Sequence, residues 1–145
     1  MPPALIDNLA SFTDAHDELQ LRLLDETVGS IETHKCGENE IRALLSIFER
    51  FPDDDGYGVF WSILHCLEKC ESYERLLIES VTRNPVEFSL SMVNRIINSG
   101  VSEIDGLSLH LLLESAITNV AASENTKDFA RNFIKYQQER NRAET

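Results

Sequence analysis

The spacing of apolar residues constrains this chain more than any other feature, because they recur every three or four positions along almost its whole length. Leu5, Leu9 and Phe12 show this spacing near the start. It is the period of one face of an α-helix, whereas no segment alternates apolar and polar residues convincingly as a half-buried strand does. The sequence therefore predicts an all-α protein of seven or eight short helices, with breaks at Gly37, Pro52, Pro85 and Gly100.

The two ends of the chain raise separate questions. The first apolar series fits either one long helix or two helices joined near Thr13 and Asp14, with His16 on the same apolar seam. Near the other end, the segment 108–122, which includes Val120, is strongly apolar and is predicted to be the most buried helix. A last helix from Ser123 is predicted to fray into a charged tail from about residue 138.

An internal similarity at a shift of 33 residues refines the architecture. It aligns Arg42 with Arg75 and Pro52 with Pro85, and it continues into the following helix. A helix, a proline corner and a second helix repeated at this period indicate stacked antiparallel helix pairs of HEAT type. A third copy from Ser108 fits poorly, so chance similarity between two amphipathic helix pairs stays an alternative. We expect one domain over residues 1–145.

The composition limits the cellular compartments in which the protein is expected to work. The chain has 145 residues, of which 42% are hydrophobic, enough for one continuous core. Its apolar runs are interrupted by charge, so no membrane span is expected, and the start lacks the basic and apolar regions of a secretory signal. Three cysteines without framework spacing indicate thiols in a reducing compartment. These features predict a cytoplasmic protein.

Net charge is the most informative bulk property. The formal charge is −12, and the predicted isoelectric point is about 4.6. Such a surface repels a phosphate backbone and attracts basic proteins, so direct nucleic-acid binding is not expected. The charge is also uneven, since residues 1–56 hold 13 acidic and 4 basic side chains. The alternative is that acidity only keeps a small domain soluble.

Patterns typical of catalysis or metal binding fail on their spacing. With Gly56 as the turn glycine of a calcium loop, Phe51 and Ser62 would occupy positions that need carboxylates. His65, Cys66 and Cys70 lie close together, with Cys66 and Cys70 one helical turn apart, but a structural zinc site needs four ligands, and His34 and Cys36 would have to come from a distant loop. The chain has no phosphate-binding glycine loop and no nucleophile elbow. We therefore predict no enzyme activity, no metal and no cofactor.

One cluster suits protein binding. Three aspartates in a turn are followed by polar and aromatic residues that would share one helical face, opposite much of the apolar stripe. Aromatic side chains supply contact area, and carboxylates pair with Lys or Arg of a partner. Alternatively, Trp61 is a core residue, because a middle helix of a stacked array is covered on both sides. The predicted partner-binding residues are Asp53, Asp54, Asp55, Tyr57, Trp61, His65 and Glu68.

Residues 51–65 (FPDDDGYGVFWSILH), 80–85 (SVTRNP) and 92–100 (MVNRIINSG) resemble small helical immunity proteins encoded beside bacterial polymorphic toxins, including those of contact-dependent inhibition. The resemblance covers about residues 41–113. It implies a cytosolic antidote that binds a cognate toxin domain, a nuclease, and covers its active site or basic substrate groove. The acidic residues would then mimic phosphate. No binding residue is carried over from the family.

A second reading explains the same composition and period without a toxin. In this reading the chain is a helical-repeat adaptor or regulatory subunit that binds an unrelated protein. Gene neighbourhood separates the two, since an immunity gene lies next to a large toxin gene. The sequence also leaves open whether the N-terminal helices pack within the domain or pair with a second copy to form a homodimer.

Overall fold

The computed structural model describes residues 3–33 and 36–144, and over these ranges the chain is almost entirely helical. Within the described ranges, the regular structure consists of eight α-helices, one short 3-10 helix and one small hairpin. The predicted all-α class is confirmed. The elements are α1 (Pro3–Ala10), α2 (Glu18–Glu32), α3 (Glu38–Arg50), the 3-10 helix (Gly56–Gly58), α4 (Val59–Lys69), α5 (Tyr73–Arg83), α6 (Glu87–Asn98), β1 (Glu103–Ile104), β2 (Leu107–Ser108), α7 (Leu109–Thr118) and α8 (Glu124–Glu144).

Contacts within the chain group into two compact units, Met1–Leu76 and Leu77–Thr145. Of the described helices, none combines the length and the apolar character needed to cross a membrane.

The N-terminal segment forms two helices, which settles the alternative left open by the sequence. Asp17 caps α2 by accepting hydrogen bonds from the backbone N–H groups of Leu19 and Gln20, at 2.9 and 3.3 Å. The Gln20 side chain in turn accepts from the backbone of Thr13 and Asp14, at 2.8 and 3.1 Å. This network fixes the connection before α2. His16 lies exposed in it, so the prediction that it shares the apolar seam is wrong.

Helices α3 and α4 form an antiparallel pair that is closed at both ends. The turn 51–58 joins the end of α3 to the start of α4, and a disulfide between Cys36 and Cys70 joins their opposite ends. The prediction that these cysteines remain thiols is therefore wrong for two of the three. Only the antiparallel packing brings them together across 34 residues. Cys66 is a buried free thiol. Its pKa is raised to about 11, and burial is the main cause.

The core of the first unit is built around Phe60 of α4. Its ring lies 5.9 Å from the Phe48 ring, 6.3 Å from Phe12 and 6.4 Å from Phe51, measured between centroids. The Arg50 guanidinium donates to the backbone oxygens of Phe12 and Leu9, at 2.6 and 3.0 Å, and so ties the end of α3 to the end of α1. Partial burial lowers the pKa of Arg50 from its ordinary value.

The 33-residue similarity corresponds to two helix pairs with different corners. The shift places α3 on α5, as predicted, but it places the start of α4 on Met92, whereas α6 begins at Glu87. The corner of the first pair spans residues 51–58, and that of the second only 84–86. The extra residues of the first corner form the acidic turn.

The second unit departs from the sequence predictions at its hairpin and at the end of α7. The hairpin of β1 and β2, in which Glu103 pairs with Ser108, has strands of only two residues each. Strands this short show no alternation of apolar and polar residues in the sequence. Helix α7 ends at Thr118, and Val120 beyond it is 100% exposed. The prediction that this segment is the most buried helix is wrong, because α4 and α6 bury larger shares of their residues.

The C-terminal segment does not fray at residue 138. Helix α8 continues to Glu144, and the prediction of an unwound tail is wrong for the residues described. Gln137 is buried and donates to the side-chain oxygens of Asn94 and Asn98 on α6, at 2.7 and 2.8 Å. Arg140 also donates to Asn98. These hydrogen bonds attach the last turns of α8 to α6, in a segment that has few apolar residues of its own.

Candidate protein-binding surface

The acidic turn has an unusual backbone. Gly56, Tyr57 and Gly58 have consecutive positive φ values of 57°, 51° and 93°. A left-handed conformation costs a residue with a Cβ roughly 1–2 kcal/mol, so Tyr57 is held there by its surroundings. The prediction that Tyr57 shares the helical face of Trp61 is wrong, because α4 begins only at Val59. Its side chain is 74% exposed.

Asp55 explains how this turn is held. Its side-chain oxygen accepts from the Tyr57 N–H at 3.0 Å, and its backbone oxygen accepts from the N–H groups of Gly58 and Phe60, at 3.0 and 3.2 Å. Amides at the start of a helix lack partners within the helix, so these bonds stabilise both the 3-10 helix and the entry to α4. The carboxylate of Asp55 is therefore partly committed to structure.

Gly56 forms the buried floor of the turn against the Phe60 ring. A Cβ added to Gly56 would lie 2.7 Å from Cδ1 and 2.8 Å from Cε1 of that ring, closer than atoms can approach. The turn thus sits directly on the aromatic core of the first unit. This contact places the aspartates and Tyr57 at a fixed position on the surface.

His16 joins the turn from the α1–α2 connection. Its Nε2 lies 3.2 Å from Oδ1 of Asp54, and its ring meets the Tyr57 ring edge-on at 5.9 Å. The Asp14 side chain accepts from the His16 backbone N–H at 2.9 Å and orients this residue. Sequence reasoning missed His16 as part of the surface, because its partners lie about 40 residues away and no local spacing connects them.

Trp61, His65 and Glu68 form the second cluster, on the outward face of α4. Trp61 is 43% exposed, so the alternative that it is a core residue is wrong. Its ring centroid lies 6.4 Å from that of His65, whose Nδ1 is 3.7 Å from Oε1 of Glu68. The three side chains are aligned by the helical spacing of four and three residues. We call them the helix cluster, and Asp53, Asp54, Asp55, Tyr57 and His16 the turn cluster.

A groove of about 480 Å³ runs between α2 and the turn cluster. His16 and Tyr57 line it on the turn side, and Glu18, Arg22 and Asp25 line it on α2. Glu18 and Arg22 pair with each other at 3.2 Å. The groove extends the acidic, aromatic surface beyond the residues that the sequence singled out.

The surface carries polar and aromatic groups of the kinds that often contact a partner protein. It offers carboxylate acceptors at the turn, two exposed aromatic rings and the two imidazoles of His16 and His65. Across residues 3–33 and 36–144, no three His, Cys, Asp or Glu side chains are placed to hold a metal ion. The zinc alternative through His34 falls outside the described residues, and Cys36 is bonded to Cys70.

Comparisons with known proteins assign no relative to this chain. No protein-family model matches it, and neither a curated protein nor a solved structure shows a significant match.

Proposed function

We propose that this protein is an immunity protein, which neutralises a basic toxin domain by covering its active site or substrate groove with the turn and helix clusters. The observation that carries the proposal is the exposure of Trp61 and His65, beside the partly exposed Glu68 and next to a turn of three aspartates. Aromatic residues that are partly exposed beside charged groups are typical centres of protein interfaces.

Charge supports the choice of a basic partner. Residues 1–56 carry 13 of the 25 acidic residues and only 4 of the 13 basic ones. A field of this sign accelerates encounter with a positively charged surface, and it would mimic the phosphates that a nuclease groove binds. The resemblance of residues 51–65 to helical immunity proteins points to the same class of partner.

The packing and the hydrogen bonds of the turn cluster support a docking role. Gly56 rests on the Phe60 ring, Asp55 caps the turn, and His16 holds Asp54 and Tyr57. A surface fixed in this way loses little conformational entropy when a partner binds, so more of the contact energy appears as affinity.

The Cys36–Cys70 bond bears on where such an antidote works. Disulfides persist mainly in oxidising compartments, whereas a cytoplasmic immunity protein would hold both residues as thiols. The bond lies at the end of α4 away from the turn, and 11 residues of helix separate the two by about 16 Å. We therefore expect the contacts made by the turn cluster to be similar in the oxidised and the reduced forms, whereas Glu68 of the helix cluster lies only two residues before Cys70.

The proposal is tested by co-expressing the chain with the polypeptide encoded beside its gene, scoring host survival and co-purification. The expected result is rescue with a stable complex. Neither rescue nor complex would contradict the immunity proposal and favour the adaptor reading.

A charge variant sharpens this test. Asp53→Lys changes the charge of the turn by two units, which at about 10 Å in water is worth about 0.8 kcal/mol, or fourfold in association rate at low salt. Glu114→Lys, an exposed position on α7, is the matched control. Stopped-flow association should slow for Asp53→Lys alone and lose part of its salt dependence. Equal rates for both variants would contradict the proposed surface.

A further inference from the structure

The groove between α2 and the turn cluster has a lining that suits one kind of side chain. Its volume of about 480 Å³ is far larger than the roughly 30 Å³ that one water occupies. The residues that line it come from the α1–α2 connection, α2, the turn and the first residue of α4, so they all belong to the first unit. The groove is therefore complete within that unit.

The charged side chains of the groove carry an excess of negative charge. Glu18, Arg22 and Asp25 lie on one face of α2, at helical spacings of four and three residues. Arg22 is paired with Glu18 at 3.2 Å, whereas the Asp25 carboxylate is exposed and makes no ion pair with a described residue. Two carboxylates and one guanidinium leave one negative charge, and Asp25 is the group placed to receive a cation.

Tyr57 gives the groove an aromatic wall. Its side chain is 74% exposed, and the His16 ring meets it edge-on at 5.9 Å. A contact of this geometry covers at most one of the two faces of the Tyr57 ring. Because the face of an aromatic ring attracts cations, an exposed tyrosine in the same groove as an unpaired carboxylate favours a positively charged guest.

The bottom of the groove is apolar. Leu21 is 7% exposed, Gly56 is buried and Val59 is half-buried, and all three line the groove. Lysine and arginine bury their methylene stems on apolar surface of this kind while the charged head stays with polar groups. A small inorganic cation gains nothing from such a surface, and an anion is repelled by the carboxylates. The lining therefore matches a long side chain that ends in a positive charge.

Building on the immunity function proposed above, we infer that this groove receives an arginine side chain of the partner protein. The guanidinium stacks on the Tyr57 ring and donates to the Asp25 carboxylate, and its stem lies on Leu21. Arginine fits better than lysine, because its guanidinium is planar, stacks on aromatic faces and donates in a fork that matches a carboxylate. Arginine is also enriched among the residues that dominate the affinity of protein interfaces. The groove thus selects a partner that presents an arginine to the turn.

The test is an NMR titration of the full chain with the blocked tripeptide acetyl-Gly-Arg-Gly-amide, at constant pH and ionic strength. We expect saturable shifts of the Tyr57 ring protons with a midpoint of about 10 mM or lower. Tyr136, which is 46% exposed on α8, is the internal control and should not shift. Linear shifts, or equal shifts of both tyrosines, would overturn the inference.

Two further peptides separate arginine recognition from general attraction to a chain of charge −12. A citrulline peptide has nearly the same shape as the arginine peptide without its charge, and it should not saturate the groove. A lysine peptide has the same charge without the planar fork, and it should bind at least about threefold more weakly. Binding of either peptide as tight as that of the arginine peptide would contradict the assignment.

Variants of α2 and the turn locate the binding. Asp25→Asn keeps the size of the side chain and should weaken arginine-peptide binding at least about threefold. Glu26→Gln is the matched control, because Glu26 is also an exposed acid of α2 but does not line the groove. Tyr57→Leu, followed through the Asp25 amide, should weaken binding at least about twofold. Unchanged binding by Asp25→Asn, or equal weakening by Glu26→Gln, would overturn the inference.

The peptide titrations give their answer independently of the co-expression test. If the complex forms and rescues the host but the arginine peptide does not saturate the groove, the arginine inference fails and the immunity function stands. If the arginine peptide saturates the groove but neither rescue nor complex is found, the immunity function fails and the groove is confirmed as an arginine site.

Discussion

Helix α4 presents two faces that differ in almost every physical property. The inner face carries Phe60, Ile63, Leu64 and Leu67, each fully buried, whereas the outer face carries Trp61, His65 and Glu68 next to the acidic turn. Phe60 and Trp61 are adjacent in sequence and opposite in role. The inner face determines stability, and the outer face leaves aromatic area exposed that folding alone does not require.

Phe60→Ala should have the largest effect, because it empties the centre of the aromatic cluster. Removing a fully buried phenylalanine typically costs about 3–5 kcal/mol, and we expect the upper part of that range for Phe60. Urea unfolding followed by circular dichroism measures the loss. A change below about 1 kcal/mol would show that the inner face is not what holds the first unit together.

Loss of the Cys36–Cys70 bond should come next. The bond closes a loop of 34 residues around α3 and α4, and loop-closure entropy predicts a loss of about 3–4 kcal/mol for the double change to serine. Adding a reductant to the wild-type protein should produce a similar loss. Cys66→Ala is the control. If the double variant unfolds at the same urea concentration as that control, the bond does not stabilise the pair.

Gly56→Ala tests whether the turn depends on the inner face. It places a Cβ against the Phe60 ring and forces a left-handed conformation, so we expect a loss of about 2–3 kcal/mol. Gly58→Ala is the matched control, because its φ is also positive but no atom lies within 4 Å of the added Cβ. Thermal unfolding compares the two, and equal losses would show that contact with Phe60 is unimportant.

Trp61→Ala should have the smallest effect on stability. Because its side chain is 43% exposed, we expect a loss of less than about 1 kcal/mol in the urea unfolding measurement used for Phe60→Ala. A loss above about 2 kcal/mol would remove the contrast between the two faces and make the ring structural.

Helical periodicity was sufficient to predict the fold class and most helix positions, because amphipathic spacing and proline or glycine breaks are local signals. The position of Trp61 was not predictable in this way. Its neighbours Phe60 and Ile63 define the buried stripe, but whether another element covers the opposite side depends on tertiary packing. The same limit applies to Cys36 and Cys70, whose pairing requires α3 and α4 to run antiparallel.

The candidate surface was predicted only in part. The three consecutive aspartates, Asp53 to Asp55, predict a turn. The spacing of Trp61, His65 and Glu68 correctly places these side chains on one face of α4. Tyr57 does not lie on that face. It belongs to a left-handed turn that the flanking glycines permit, and Tyr57 itself has a positive φ there. His16 joins the surface through contacts with Asp54 and Tyr57 that no sequence period encodes.

The central claim is that the outer face of α4 binds a basic partner protein. Its most direct test is the affinity of Trp61→Ala for the polypeptide encoded beside the gene, compared with Leu111→Ala, which truncates an apolar side chain on α7 that is 63% exposed. The account predicts a weakening of at least about 30-fold for Trp61→Ala, the size of an interface hot spot, and less than about twofold for Leu111→Ala. Unchanged affinity for Trp61→Ala, or equal weakening by both, would contradict it.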